Sequence, residues 1–288
     1  SMINEAWIKT KSQELDIPFS HILSAYVLET TVRILAELAD AKDFWLEDSD
    51  RLGLDVYKKS VSEKVRYYYT GGKAFKEIKE RIRQDLLQAY EKEGFGVELV
   101  SEEKEGQGFR MNFSMEVCGM YVPFLVSLLP FGVEHIFPKE ENLRLFLENN
   151  KTIGIYAYPV EQIAAEHLLP IVKQLELLQD MEHYQKLYEI LSKYPLEGRK
   201  VQESLGALCR KDHVKCSALV WESLSGYGTY TYMEKKWKSL LRKEKKKEPA
   251  WQEVHGLICR FLEPIWEKLM EDQIFFGDWM PQLGRFLD

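Results

Sequence analysis

Three groups of residues in this chain have the types and spacings that chemistry requires. Asp48-Ser49-Asp50 is a D-x-D. Carboxylates two apart on a strand face one way, so this pair could share a Mg²⁺ ion of the kind that nucleotide-transferring enzymes hold. Ser and Asp are equally good turn formers, and an exposed turn is the competing reading. Cys209, His213 and Cys216 recur at i, i+4 and i+7, with His255 and Cys259 as a second i, i+4 pair. Thiol and imidazole are zinc ligands. On a straight helix, however, i and i+7 lie roughly 10 Å apart, too far for one ion with bonds of about 2 Å. Packed, inert cysteines are therefore the expectation. The third group, Lys235, Lys236, Lys238, Arg242, Lys243, Lys245, Lys246 and Lys247, is a basic run interleaved with Trp237. It could bind RNA phosphates through counterion release. Glu234, Glu244 and Glu248 favour a solvated helix end instead.

Other chemistry is absent from the pattern. No Walker-type or dinucleotide glycine fingerprint occurs, and Gly71-Gly72-Lys73 reads as a turn before a helix. No local Ser or Cys nucleophile signature is present. A net charge of −7 argues against an overall nucleic-acid footprint. Four cysteines without a CxxC pair suit a reducing compartment. No apolar run approaches the roughly 20 residues that span a bilayer, and the first residues lack a signal-peptide core. The setting expected is cytoplasmic, with no membrane partner.

The elements that must position these groups follow from periodicity. With 45% hydrophobic residues over 288 positions, a substantial core is expected. A helix is predicted from Pro18-Phe19-Ser20, with Ser20 as cap, to about Asp40. Strands are predicted at Phe44–Leu46, 65–70, 95–100, Gly108–Val117, 121–129 and 152–158, and an amphipathic helix over 73–90. Pro123 implies an edge position or a bulge, because it removes a ladder donor. The charged stretch 135–151 reads as loop with a short helix. From Pro159 onward the period changes from two to that of a helix, with helices near 159–175, 181–193, 199–210, 213–224, 230–246 and 249–270. The reading is α+β: a mixed sheet with flanking helices over residues 1–158, then a helical domain over 159–288.

Most of the chain resembles the AbiEii/AbiGii family of bacterial abortive-infection and toxin–antitoxin nucleotidyltransferases. The resemblance rests on phrases in shared order: Tyr26-Val27-Leu28-Glu29, then Phe44-Trp45-Leu46, then the strands Phe109–Val117 and 121–129. Tyr158-Pro159-Val160-Glu161-Gln162-Ile163-Ala164-Ala165-Glu166 is similar to that family's Y-x-x-E-x-I-x-A-E-K segment. Trp237 and Ile258–Ile265 are similar to its terminal helix phrase. The resemblance implies a nucleotidyltransferase-like domain followed by a helical one.

The same comparison implies that the reaction's groups are missing. Asp48-Ser49 stands where the family has a glycine pair for the triphosphate, and an anion there repels phosphate. The paired metal carboxylates fall on Lys64 and Arg66, the later acid falls on Ser127, and the lysine of A-E-K is His167. The family's K-D-x-Y-D helix reads Glu182-His183-Tyr184-Gln185-Lys186, without either aspartate. A cation cannot ligate Mg²⁺. The resemblance thus implies a catalytically degenerate homologue of a toxin–antitoxin or phage-defence system, with no cofactor, that binds a protein partner or RNA. A cognate antitoxin or a related toxin would be such a partner. The alternative is an active enzyme using Mg²⁺ and a nucleoside triphosphate with relocated acids: Asp48, Asp50 and Asp55, with Glu116 or Glu134 as a more distant candidate.

Overall fold

The computed structural model describes residues 3–132, 138–148 and 150–287, without the side chain of Asp50. The chain divides into two compact units, Ser1–Tyr158 and Pro159–Asp288.

The first unit is built around one almost wholly buried helix. It begins with α1 (Glu5–Leu15), ahead of the first helix that the periodicity predicts; Asn4 caps it by accepting from the Trp7 amide at 2.8 Å. The buried helix is α2 (Phe19–Ala36), apolar on most sides, as a core helix should be. It starts after Pro18 with no side-chain cap, so Ser20 does not serve as one. There follow β1 (Phe44–Leu46), a 3₁₀ turn at Ser49–Arg51, the short helix α3 (Leu54–Lys59), β2 (Lys64–Tyr69) and α4 (Phe75–Lys92). Ile78, Ile82, Leu86 and Tyr90 form the buried stripe of α4. The remaining strands are β3 (Gly96–Glu105), β4 (Gly108–Val117), β5 (Met120–Pro130), β6 (Lys139–Leu145) and β7 (Lys151–Ala157).

These seven strands make one mixed sheet in the order β3-β4-β5-β2-β1-β7-β6. It is parallel at β2 with β5 and at β1 with β7, and antiparallel elsewhere. Helix α2 packs on β5, β2 and β7, and α4 on β3. Pro123 sits in β5 opposite Ser114, before the first β2 residue, Lys64, joins at Leu125. Its missing N–H falls on the side where β5 is locally an edge, so no ladder bond is lost. The stretch expected as loop holds β6, a true edge strand: Leu143 and Leu145 point inward while Lys139, Glu140 and Arg144 are exposed. Charges that protect an edge also hide its alternation.

The second unit packs α5 (Val160–Gln174), α6 (Glu182–Lys193), α7 (Gly198–Lys211), α8 (Ala218–Ser225), α9 (Thr231–Lys243) and α10 (Trp251–Met270). Pro159 precedes the first turn of α5, and Pro170 lies within that helix. Four tryptophans, Trp237, Trp251, Trp266 and Trp279, are almost fully buried. Each indole N–H finds a backbone carbonyl, on Pro249, Tyr227, Ser217 and Leu191 respectively, at 2.8–2.9 Å. A buried indole needs such a partner, so these bonds fix register as well as volume. The unit is not purely helical, contrary to the periodicity. A small antiparallel sheet joins β8 (Leu196–Glu197), β9 (Asp278–Met280) and β10 (Arg285–Leu287). Two or three residues per strand are too few for a period to show, and the sheet is held by the contacts of Phe261 with Trp279 and Phe286.

Candidate functional site

Alternation along β2 sorts its side chains. Val65, Tyr67 and Tyr69 are buried, whereas Lys64, Arg66 and Tyr68 lie on the opposite face. The ladder then sets Arg66 opposite Ser127 on β5, and Ser127 opposite Arg110 on β4. Lys64 stands opposite Leu125. Three of the positions that the family comparison singled out, Lys64, Arg66 and Ser127, are therefore neighbours on one sheet face.

Two carboxylates complete the cluster. The hairpin joining β3 to β4 turns at Gly106-Gln107, and Gly106 has φ +56°, the positive value that the first position of a tight hairpin favours. The turn ends β3 at Glu105, whose carboxylate accepts from the Lys64 ammonium and lies 3.5 Å from Arg66 Nε. On the other side Glu47 also lies 3.5 Å from Arg66 Nε, and its amide donates to the Arg66 carbonyl at 2.9 Å. Arg66 thus stands between two acids as their counter-ion. Burial raises the pKa of Glu105, but the hydrogen bond from Lys64 and the charges of Lys64 and Arg66 outweigh it, holding the carboxyl below its usual range. The fully buried Ser127 leaves room for these longer side chains. Arg110 pairs with Glu103 at the rim. Beyond Arg66 the face turns aromatic: Tyr68 stacks on Tyr158 at 4.0 Å, and Trp45 meets Phe131 at 4.9 Å. Sequence reasoning missed Glu47 and Glu105. The only signal was the polar face of β4, with Arg110 in it, because their arrival depends on strand register.

The D-x-D is elsewhere and is not on a strand. Asp48 takes a left-handed conformation (φ +55°) and pairs with Arg51 at 3.1 Å, and a 3₁₀ turn follows. The two-residue strand spacing that would align the acids does not apply. Ser49 donates to Glu141 of β6 at 2.7 Å. Asp55 is exposed on the first turn of α3. Glu116 is exposed opposite Tyr121, at the far end of β4 from Arg110. Glu134 lies outside the described residues, as does the Asp50 side chain. Among the described residues no three His, Cys, Asp or Glu side chains form a metal-holding group.

In the second unit His167 meets His183, Nδ1 to Nδ1 at 3.1 Å. Burial, with help from His183 and Lys186, pushes His167 down to about 4, so it is neutral at pH 7. His183 lies 3.7 Å from Asp180. His255 is buried and bonds the Leu224 carbonyl at 2.7 Å, with the Cys259 sulfur 3.4 Å away. Cys209 and Cys216 line one pocket, contrary to the straight-helix estimate, because α7 stops between them at Lys211.

The basic run divides by role. Lys236 is a structural residue: its ammonium donates to the carbonyls of Glu176 and Leu178, both at 2.6 Å, and lies over the Tyr232 ring. Lys238 pairs with Glu234 and Lys246 with Glu244. Lys235, Lys238 and Arg242 recur along the outer side of α9, opposite the buried Met233, Trp237 and Leu241. Lys243, Lys245 and Lys247 are exposed at and beyond its end, where Lys245 (φ +58°) terminates the helix.

No family model matches the chain, and no curated protein does. The crystal structure of JHP933 from Helicobacter pylori superposes with a TM-score of 0.47 at 11% identity, covering 89% of this chain and 96% of that one. Among the described residues no helix is long and apolar enough to cross a membrane.

Proposed function

We propose that this chain is an AbiEii-like nucleotidyltransferase-fold protein that has lost metal-dependent nucleotide transfer and acts by binding a protein partner or RNA in a bacterial defence or toxin–antitoxin setting. One observation carries the reading: Arg66 lies between Glu47 and Glu105, with Lys64 on Glu105, at the strand positions the family comparison assigns to metal carboxylates. A fixed guanidinium there meets the need for positive charge that Mg²⁺ would otherwise meet, and it repels the ion. His167 paired with His183 is a parallel change, because both positions depart from the charged residues of the family's motifs. The outward stripe Lys235, Lys238 and Arg242 supports RNA as one partner.

Incubating the protein with Mg²⁺, each labelled nucleoside triphosphate and total RNA tests the central claim. The expected result is no label above a no-protein control, with or without metal. Robust Mg²⁺-dependent transfer overturns it in favour of an enzyme with relocated acids. A gel-shift series with the K235E/R242E variant reads the RNA arm: the salt-dependent affinity of the parent should fall several-fold if phosphates sit on α9.

A further inference from the structure

Cys209 lies on the last full turn of α7, and the helix ends because His213 adopts a left-handed conformation (φ +56°). The Val214 amide then donates to the Cys209 carbonyl at 2.8 Å, and the chain doubles back. This reversal returns the chain toward α7, so that Cys216 and Cys209 line the same cavity. That cavity, of about 220 Å³, is also lined by Arg210, Gln202, Lys268 and Gln273. Cys209 is fully buried and Cys216 is partly exposed, and both are free thiols.

We propose that Cys216 and Cys209 form a peroxide-reactive dithiol, with Cys216 as the attacking sulfur and Cys209 as the resolving one. The co-reactant is a hydroperoxide. The Cys216 thiolate attacks its terminal oxygen, forming S–O and breaking O–O, and the departing oxygen takes a proton; sulfur is oxidised by two electrons and the peroxide reduced. Cys209 then gives up its proton and attacks the Cys216 sulfur. An S–S bond forms, the S–O bond breaks, and hydroxide leaves with that proton as water. Two thiols and one peroxide thus become one disulfide, water and the reduced co-product.

Exposure assigns the roles: Cys216 is partly exposed, where a peroxide can reach it, and Cys209 is buried behind it. The interaction with Cys209 holds the Cys216 thiol below its ordinary range against the effect of burial, with Arg210 assisting. Cys209 moves the opposite way, through its interaction with Cys216 and by burial. The other two thiols are internal controls: burial raises Cys118, which donates to the Ile3 carbonyl, and pushes Cys259 up to about 12. The inference does not depend on the nucleotidyltransferase reading.

The test uses the full chain, reduced and then treated with hydrogen peroxide, digested without reductant and read by mass spectrometry. Trypsin cuts after Arg210 and Lys215, so the expected product joins the peptide ending at Arg210 to the one beginning at Cys216, and dithiothreitol separates them. In C209S the Cys216 sulfenic acid should persist and be trapped by a cyclic dione. In the untreated parent, Cys216 should alkylate about tenfold faster than Cys118 or Cys259. This last comparison needs no variant to fold. Absence of the linked peptide, or alkylation of Cys216 no faster than the controls, overturns the proposal.

Discussion

Two polar clusters of the first unit make opposite use of the same residue type. On the exposed-strand face, Glu105 meets two cations, Lys64 and Arg66, and stays ionised. Inside, on α2, Glu29 is fully buried: it accepts from the Tyr57 hydroxyl at 2.7 Å and from the Leu147 amide at 2.8 Å, with the Glu148 carboxylate nearby. Burial there outweighs these two hydrogen bonds and a third from the Glu148 amide at 3.3 Å, all of which would favour charge, and raises Glu29 to about 7. Arg33, the cation of this interior cluster, is committed to Glu148 at 2.7 Å and to Glu93 and Glu37. At Glu29 the hydrogen bonds satisfy the carboxyl without keeping it charged, whereas at Glu105 the adjacent cations do keep it so.

The largest effect should come from removing the interior cation. Arg33→Met leaves Glu148 buried without its partner and should cost about 3–5 kcal/mol, read as a lower urea midpoint; a loss below about 1 kcal/mol would mean that Arg33 contributes no more than a surface ion pair. Next is Glu29→Gln. The unfolded carboxyl titrates near its ordinary 4.5 and the folded one near 7, so over that window the unfolded state releases its proton first and the parent loses stability as pH rises. The variant lacks this loss. Relative to the parent it should gain about 1–3 kcal/mol between pH 4.5 and pH 8 in denaturation curves. A pH-independent difference would show that Glu29 is ionised throughout. The smallest effect belongs to Glu105→Gln, where the sign reverses. A carboxyl held below its usual range contributes stability above its unfolded pKa that is lost as pH falls through the folded one. The variant should be about 1 kcal/mol less stable than the parent at pH 7, after allowance for solvent screening, and equal to it in strong acid.

What the sequence made legible was whatever carries its period within one element. The helix expected over 181–193 is α6 at Glu182–Lys193, and the alternation of Phe109, Met111, Phe113, Met115 and Val117 is the buried face of β4. The misses share a cause. In α1 most positions are polar, and only Ile8 is buried. In β6 the edge charges mask the period, and β8 to β10 are too short to have one. The candidate site divides in the same way. Lys64, Arg66 and Ser127 were named individually, but their meeting depends on the register between β2 and β5, which no local pattern encodes. Glu105 enters only because a two-residue turn ends β3 where it does. Cys209 and Cys216 were separated on paper by a straight helix that the left-handed His213 interrupts.

The parallel pairing of β1 with β7 has a consequence for synthesis. Trp45 waits for Tyr156, about 110 residues later, whereas β3, β4 and β5 are joined by short turns and can pair as they emerge. Until β7 is made, the outer edge of β1 has no strand to pair with, and it carries Phe44, Trp45 and Leu46, all destined for burial. A nascent chain in that state presents an apolar, unpaired strand edge, the feature that chaperones shield and that aggregation exploits. Synthesis of β7, the last strand of the first unit, therefore closes that edge.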